Sequence, residues 1–101
     1  MKIIWTAIAK KSYFKNIDYL EQYWTNEIVK EFILEVERTM KLLSDNPSCF
    51  QNWDFNASFR KGFVHKNVRF YYKIYDGEIV VFLFWNNYQN PEKLKSELLN
   101  F

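Results

Sequence analysis

Val68 to Trp85 reads VRFYYKIYDGEIVVFLFW, and no other stretch constrains the fold of this chain as strongly. Two runs of β-branched and aromatic residues flank Asp76-Gly77, a dipeptide suited to a two-residue type I′ turn because both residues tolerate positive φ. A loop that short also sets the register: Ile74 opposite Ile79, Tyr72 opposite Val81, Phe70 opposite Leu83 and Val68 opposite Trp85. That row is wholly apolar or aromatic and is expected to be the core face. The other face pairs Tyr75 with Glu78, Lys73 with Val80, Tyr71 with Phe82 and Arg69 with Phe84, a mixture of charge and exposed ring that calls for a covering partner.

The remaining segments arrange themselves around this hairpin. Lys2 to Ala9 alternates as a strand apolar on both sides. From Ala9 the period becomes helical, with Tyr13, Ile17, Leu20 and Trp24 on one stripe. Thr25-Asn26 offers a cap to a second helix whose stripe runs from Ile28 to Leu43, and Pro47 prevents its continuation. So short a connection makes the two helices an antiparallel hairpin. Ser44 to Asn56 is irregular and carries Phe50, Trp53 and Phe55. Ser58 to Val64 is a further strand turned back at Lys66-Asn67, which sets Arg60 opposite Lys73, Gly62 opposite Tyr71 and Val64 opposite Arg69. Asn90-Pro91-Glu92 begins a short last helix anchored by Leu94 and Leu98, with Phe101 at its end. The fold class is α+β: an N-terminal strand, an antiparallel helical hairpin, a three-stranded antiparallel meander and a short C-terminal helix, all in one domain over 1–101.

A chain of 101 residues with 21% aromatics can build a single core without metal or disulfide staples. Its one cysteine, Cys49, has no internal partner, and the apolar run at the N-terminus is too short for a signal peptide, so a cytoplasmic location is expected. The longest apolar run, Ile79 to Trp85, falls far below the roughly 20 residues of a membrane-spanning helix. Net charge is +2 with a pI near 8.6, short of the pI above about 9 that marks a strongly nucleic-acid-binding domain.

No zinc spacing and no phosphate-cradling glycine loop is present, and no cofactor is implied. His65 reads as a solvated turn residue and Cys49 as an inert loop thiol. One constellation has chemical content: Arg60, Arg69 and Lys73 beside Tyr71, Phe82 and Phe84 on the non-core face of the meander. Guanidinium forks bind phosphate and rings stack bases, while arginine and aromatic residues also dominate protein interfaces. A structural alternative has the C-terminal helix cover these rings.

Taken together, IIWTAIAKKSYF, the second helix running into LLSDNP, the strand pair RKGFVHKNVRFYYKI and the final FWNNYQNPEKL resemble the RelE/ParE family of bacterial type II toxins over essentially the whole chain. The resemblance implies a growth-inhibiting toxin of the kind linked to plasmid stabilisation. It implies a cognate antitoxin whose C-terminal segment lies over Arg60, Arg69, Tyr71, Lys73, Phe82 and Phe84. One branch of the family is a ribosome-dependent messenger-RNA endonuclease; another inhibits DNA gyrase and cleaves nothing.

Against the nuclease branch, Arg60 and Arg69 match two basic phosphate-holding positions, but a third falls on Gly62. Tyr88 matches the acid/base region, with no Arg or Lys beside it until Lys93. Attack by a ribose 2′-hydroxyl needs a base, an acid and charge stabilisation, so the resemblance favours the ParE-like branch with gyrase as target. The alternatives are a RelE-like nuclease using Arg60, Arg69 and Tyr88, and an orphan antitoxin-binding protein without toxicity.

Overall fold

The computed structural model describes residues 1–99; Phe101 lies outside the described residues. The elements are β1 (Lys2–Trp5), α1 (Ala7–Tyr23), α2 (Asn26–Asp45), β2 (Asn52–Trp53), β3 (Asn56–His65), β4 (Val68–Tyr75), β5 (Glu78–Asn86) and α3 (Pro91–Leu99). They form the expected α+β succession, with the two-residue β2 added inside the segment expected to be irregular. The strands make one sheet in the order β1-β5-β4-β3-β2, with β1 parallel to β5 and every other pair antiparallel.

Local chemistry accounts for most boundaries. Asp76 and Gly77 have φ of 51° and 75°, the two positive values a type I′ turn requires. Thr25 caps α2, its Oγ1 accepting from the Ile28 N–H, and Asn90 Oδ1 accepts from the Glu92 N–H at the start of α3. β1 is shorter than its alternation predicts. Thr6 ends it by acting as the N-cap of α1, accepting from the Ala9 N–H at 3.0 Å, so Ala7 to Ala9 are helical and not the end of a strand.

α1 and α2 cover one sheet face. Ala9, Leu20, Val29, Phe32, Val36 and Leu43 pack there against Val64, Val68, Phe70, Tyr72, Ile79, Val81 and Phe84. On the opposite face Leu94 and Leu98 of α3 close over Trp53, Phe59, Tyr71, Leu83 and Trp85. Part of the cover that the second face calls for is thus supplied by the chain itself.

Two β-bulges correct the predicted register. From the turn as far as Tyr72 opposite Val81 the pairing is as expected, but Tyr71 then lies opposite Leu83, Phe70 opposite Phe84, Arg69 opposite Trp85 and Val68 opposite Asn86. Phe82 is the extra residue, and beyond it the faces exchange: Phe84 is buried under the helices, while Leu83 and Trp85 belong to the α3 side. The bulge forms where β1 runs out. Past Trp5 the free edge of β5 is met by α1, whose Thr6 hydroxyl donates to Phe82 O at 3.1 Å and whose Ser12 Oγ accepts from the Phe84 N–H at 2.9 Å. Ile74, expected in the core, is exposed at the tip of the hairpin.

The second bulge, at Val64, follows the expected two-residue turn. His65 pairs with Val68, but Phe63 lies opposite Arg69, Gly62 opposite Phe70, Lys61 opposite Tyr71 and Arg60 opposite Tyr72. The predicted pairs Arg60 with Lys73, Gly62 with Tyr71 and Val64 with Arg69 are each displaced by one residue.

Candidate functional site

The displaced register rebuilds the expected constellation. Side chains opposite one another share a face, so Arg60 accompanies Tyr72 on the helix side, where its Nη1 donates to Phe50 O at 2.6 Å. Lys61 takes its place beside Arg69 and Tyr71. Gly62 has no room for a side chain at all: a Cβ there would lie 2.2 Å from Cε1 and 2.3 Å from Cζ of Phe70. Phe84 is 1% exposed and reaches neither face's surface. Of the six residues expected to meet a partner, Arg69, Tyr71, Lys73 and Phe82 remain on one face, Tyr71 being 2% exposed there.

Lys61, Arg69 and Tyr71 line a cleft of about 210 Å³, walled by Trp53, Trp85 and Leu94 and rimmed by Phe55, Asn87, Gln89, Pro91 and Lys95. β3 and β4 supply the first three residues as neighbours across one ladder. The β2 segment brings Trp53 over Tyr71, ring centroids 5.1 Å apart, and the capped start of α3 sets Leu94 and Lys95 at the far wall. Lys95 Nζ lies 3.9 Å from the centroid of the Phe55 ring. This cation–π contact joins the two rims.

The cleft is short of negative charge. Arg69 Nε is buried without a hydrogen-bond partner among the described residues, and the guanidinium stacks 4.9 Å from the Phe63 centroid. Burial pushes the Lys61 ammonium below its ordinary pKa and Arg69 pushes it further, while Asp54 opposes both. Burial raises the Tyr71 phenol, against the pull of Arg69. Two cations held side by side over indole walls, one of them with an unanswered donor, make a receptor for an anion that also presents an apolar or ring surface. Lys73 stands apart on the same face, its Nζ 4.4 Å from the Phe59 centroid and 5.5 Å from that of Phe82.

The three nuclease candidates do not meet. Arg60 is on the helix side, Arg69 is in the cleft, and Tyr88 leans back toward α1 with its ring 6.3 Å from Tyr19. The sequence offers Trp53 either as a ring tucking its loop against the core or as part of a binding groove, and here the ring does both; the sequence does not point to Lys61 or Trp85. Lys61 stood one position from the residue chosen, and nothing local to it signals the bulge at Val64. His65 is half-buried with its ring 6.2 Å from Phe32, and not a solvated turn residue. Among the described residues no group of three His, Cys, Asp or Glu side chains gathers as metal ligands, and no helix is long and apolar enough to cross a membrane.

No family model and no curated protein matches this sequence. Solved structures do: a YoeB/ParE toxin from Agrobacterium tumefaciens aligns with a TM-score of 0.58 over 85% of this chain and 98% of its own, at 12% identity. The fold is that of the RelE/ParE-type toxins. The solution structure of the conserved hypothetical protein HP0894 from Helicobacter pylori aligns with a TM-score of 0.56, covering 88% of this chain and 97% of that one at 16% identity. At such identities the likeness is one of fold.

Proposed function

We propose that this chain is the toxin of a toxin–antitoxin pair, arresting growth by binding an essential target, DNA gyrase, and held silent by a cognate antitoxin. The observation that carries the reading is the fold correspondence with a YoeB/ParE toxin, which covers 85% of this chain and 98% of that one. The non-cleaving, ParE-like choice is supported by the separation of Arg60, Arg69 and Tyr88, because general acid–base catalysis needs its groups within hydrogen-bond reach of one substrate. An acidic segment of the antitoxin is the natural partner for Arg69, Lys73 and the half-buried Phe82. Expression without antitoxin is expected to arrest growth and induce DNA-damage reporters while messenger RNA stays intact. Arrest with rapid messenger cleavage and silent damage reporters would overturn the choice of gyrase.

The ribosome-dependent nuclease is a second reading, favoured by one specific feature: Lys61, with its depressed pKa, stands beside Arg69 and Tyr71 in a single cleft. On that reading Arg69→Ala abolishes messenger cleavage on programmed ribosomes while the far-UV circular dichroism of the protein stays unchanged. Harmless overexpression together with tight antitoxin binding would instead identify an orphan member without toxicity.

A further inference from the structure

The cleft between β3, β4 and α3 holds an amine beside its anion site. Lys61 lies opposite Tyr71 and Phe63 opposite Arg69 across one ladder, which makes Lys61 and Arg69 diagonal neighbours on the same face, within reach of long side chains. Lys61 is half-buried. It borders this cleft and also a second hollow of about 300 Å³ that shares Trp53 and adds Cys49, Asp54 and Phe63. Neither Lys61 nor Arg69 forms an ion pair among the described residues.

An arginine and a lysine left without acids do different chemistry. The guanidinium keeps its proton and offers a planar fork to an anion; here its Nε is buried with no hydrogen-bond partner among the described residues, a costly state that an anion drawn against it would relieve. A lysine becomes a nucleophile when it is desolvated or stands beside a second cation. Both conditions hold for Lys61: burial favours its free amine most, Arg69 adds to that, and Asp54 opposes. No acidic side chain lines the cleft to hold the ammonium charged, while Trp53, Trp85 and Leu94 present apolar surface around it. At about 210 Å³ the cleft is smaller than the roughly 300 Å³ at which pockets for drug-sized ligands begin. Fork, apolar wall and amine together suit a small anion that carries an apolar group on an electrophilic carbon.

We propose that Lys61 is an acylation site: a small acyl phosphate seats its phosphate on Arg69, lays its acyl group against the indole walls and transfers it to the Lys61 amine. The neutral Nζ attacks the acyl carbon. A C–N bond forms as the bond from that carbon to the phosphate oxygen breaks, and the departing phosphate takes the bonding pair and the proton that the nitrogen sheds. The products are an N-acyl lysine and inorganic phosphate. Acylation removes the lysine charge, so the cleft passes from two cations to one. The inference rests on the geometry of the cleft and stands whether or not the chain is a toxin.

The test incubates the intact protein with acetyl phosphate and, in a parallel arm, with acetic anhydride, which has no phosphate, and follows each lysine by peptide mass spectrometry. Lys61 is expected to react with acetyl phosphate about tenfold faster than the exposed Lys10, Lys11 and Lys15, a factor within what one charge-assisted hydrogen bond supplies. Inorganic phosphate should slow that reaction at Lys61 and leave the anhydride reaction unchanged. Arg69→Gln should slow the acetyl phosphate reaction more than the anhydride one, and Asp54→Asn should speed both. Should Arg69→Gln unfold, the phosphate competition in the unaltered protein decides. Acetylation of Lys61 no faster than that of the exposed lysines overturns the proposal. So does a preference that inorganic phosphate leaves intact, because the donor is then not held by its phosphate. Phosphate shifting the Arg69 side-chain NMR signals while acetyl phosphate leaves Lys61 unmodified would reduce the cleft to an anion site and likewise remove acyl transfer.

Discussion

Replacing Gly62 by alanine adds one methyl group, and the structure says where it must go. The new carbon would sit 2.2 Å from Cε1, 2.3 Å from Cζ and 3.0 Å from Cδ1 of Phe70, far inside van der Waals contact. The ring has nowhere to retreat. Phe70 is fully buried, stacked 5.6 Å from Tyr72 at 21°, and met by Phe84 at 5.9 Å and Phe50 at 5.6 Å. In an unobstructed strand the same change gains roughly 0.5–1 kcal/mol by restricting the unfolded chain. Overpacking a well-filled core costs about 1–3 kcal/mol, and contacts this short belong at the upper end. The net expectation is a loss of about 2 kcal/mol, which in a domain of this size lowers Tm by about 10 °C. Urea and thermal unfolding followed by far-UV circular dichroism would measure it. The clash is with ring atoms that leucine lacks, so in a Phe70→Leu background Gly62→Ala should be close to neutral, a coupling of about 2 kcal/mol. An unchanged midpoint in the single variant, or an equal loss in both backgrounds, would refute the argument that Gly62 is demanded by Phe70.

Three further outcomes follow from particular contacts. Tyr72 donates to Pro47 O at 2.8 Å, and burial pushes its phenol up to about 12. The folded state therefore holds this proton after the unfolded chain has released it near pH 10, so stability should fall as pH rises from about 10 toward 12; Tyr72→Phe should flatten that decline. Ser12→Ala should cost about 1–3 kcal/mol by stranding the Phe84 N–H at the end of β1, with faster amide exchange at Phe84 as its signature. Lys61 should titrate below the ordinary lysine range by NMR, moving up in Arg69→Ala and further down in Asp54→Asn. Its lowered pKa makes stability rise with pH through that titration, because the unfolded chain binds the proton more readily.

Much of the candidate site was visible one residue out of place. Arg69, Tyr71 and Lys73 were assigned to the correct face because they lie on β4, whose alternation is uninterrupted. The error was confined to the two strands that carry bulges. On β3 the extra Val64 exchanged Arg60 for Lys61 in the cleft, and on β5 the extra Phe82 sent Phe84 inward and brought Trp85 out. Each bulge moves every residue beyond it to the other face, since side chains alternate with a period of two.

What the sequence alone determined is whatever a few neighbouring residues decide through their own backbone chemistry. The Asp76-Gly77 turn, the Thr25 cap, the Asn90-Pro91 helix start and the helical stripe of α2 are all of this kind, and with them the order of elements and the α+β class. The tertiary structure decided the rest. β5 bulges at Phe82 because β1 stops at Trp5 and hydroxyls from α1, over seventy residues away in sequence, take up the backbone groups left on its edge. No residue near Phe82 carries that information. The same holds for the cleft, whose walls come from segments that meet only once the sheet has closed between its helices.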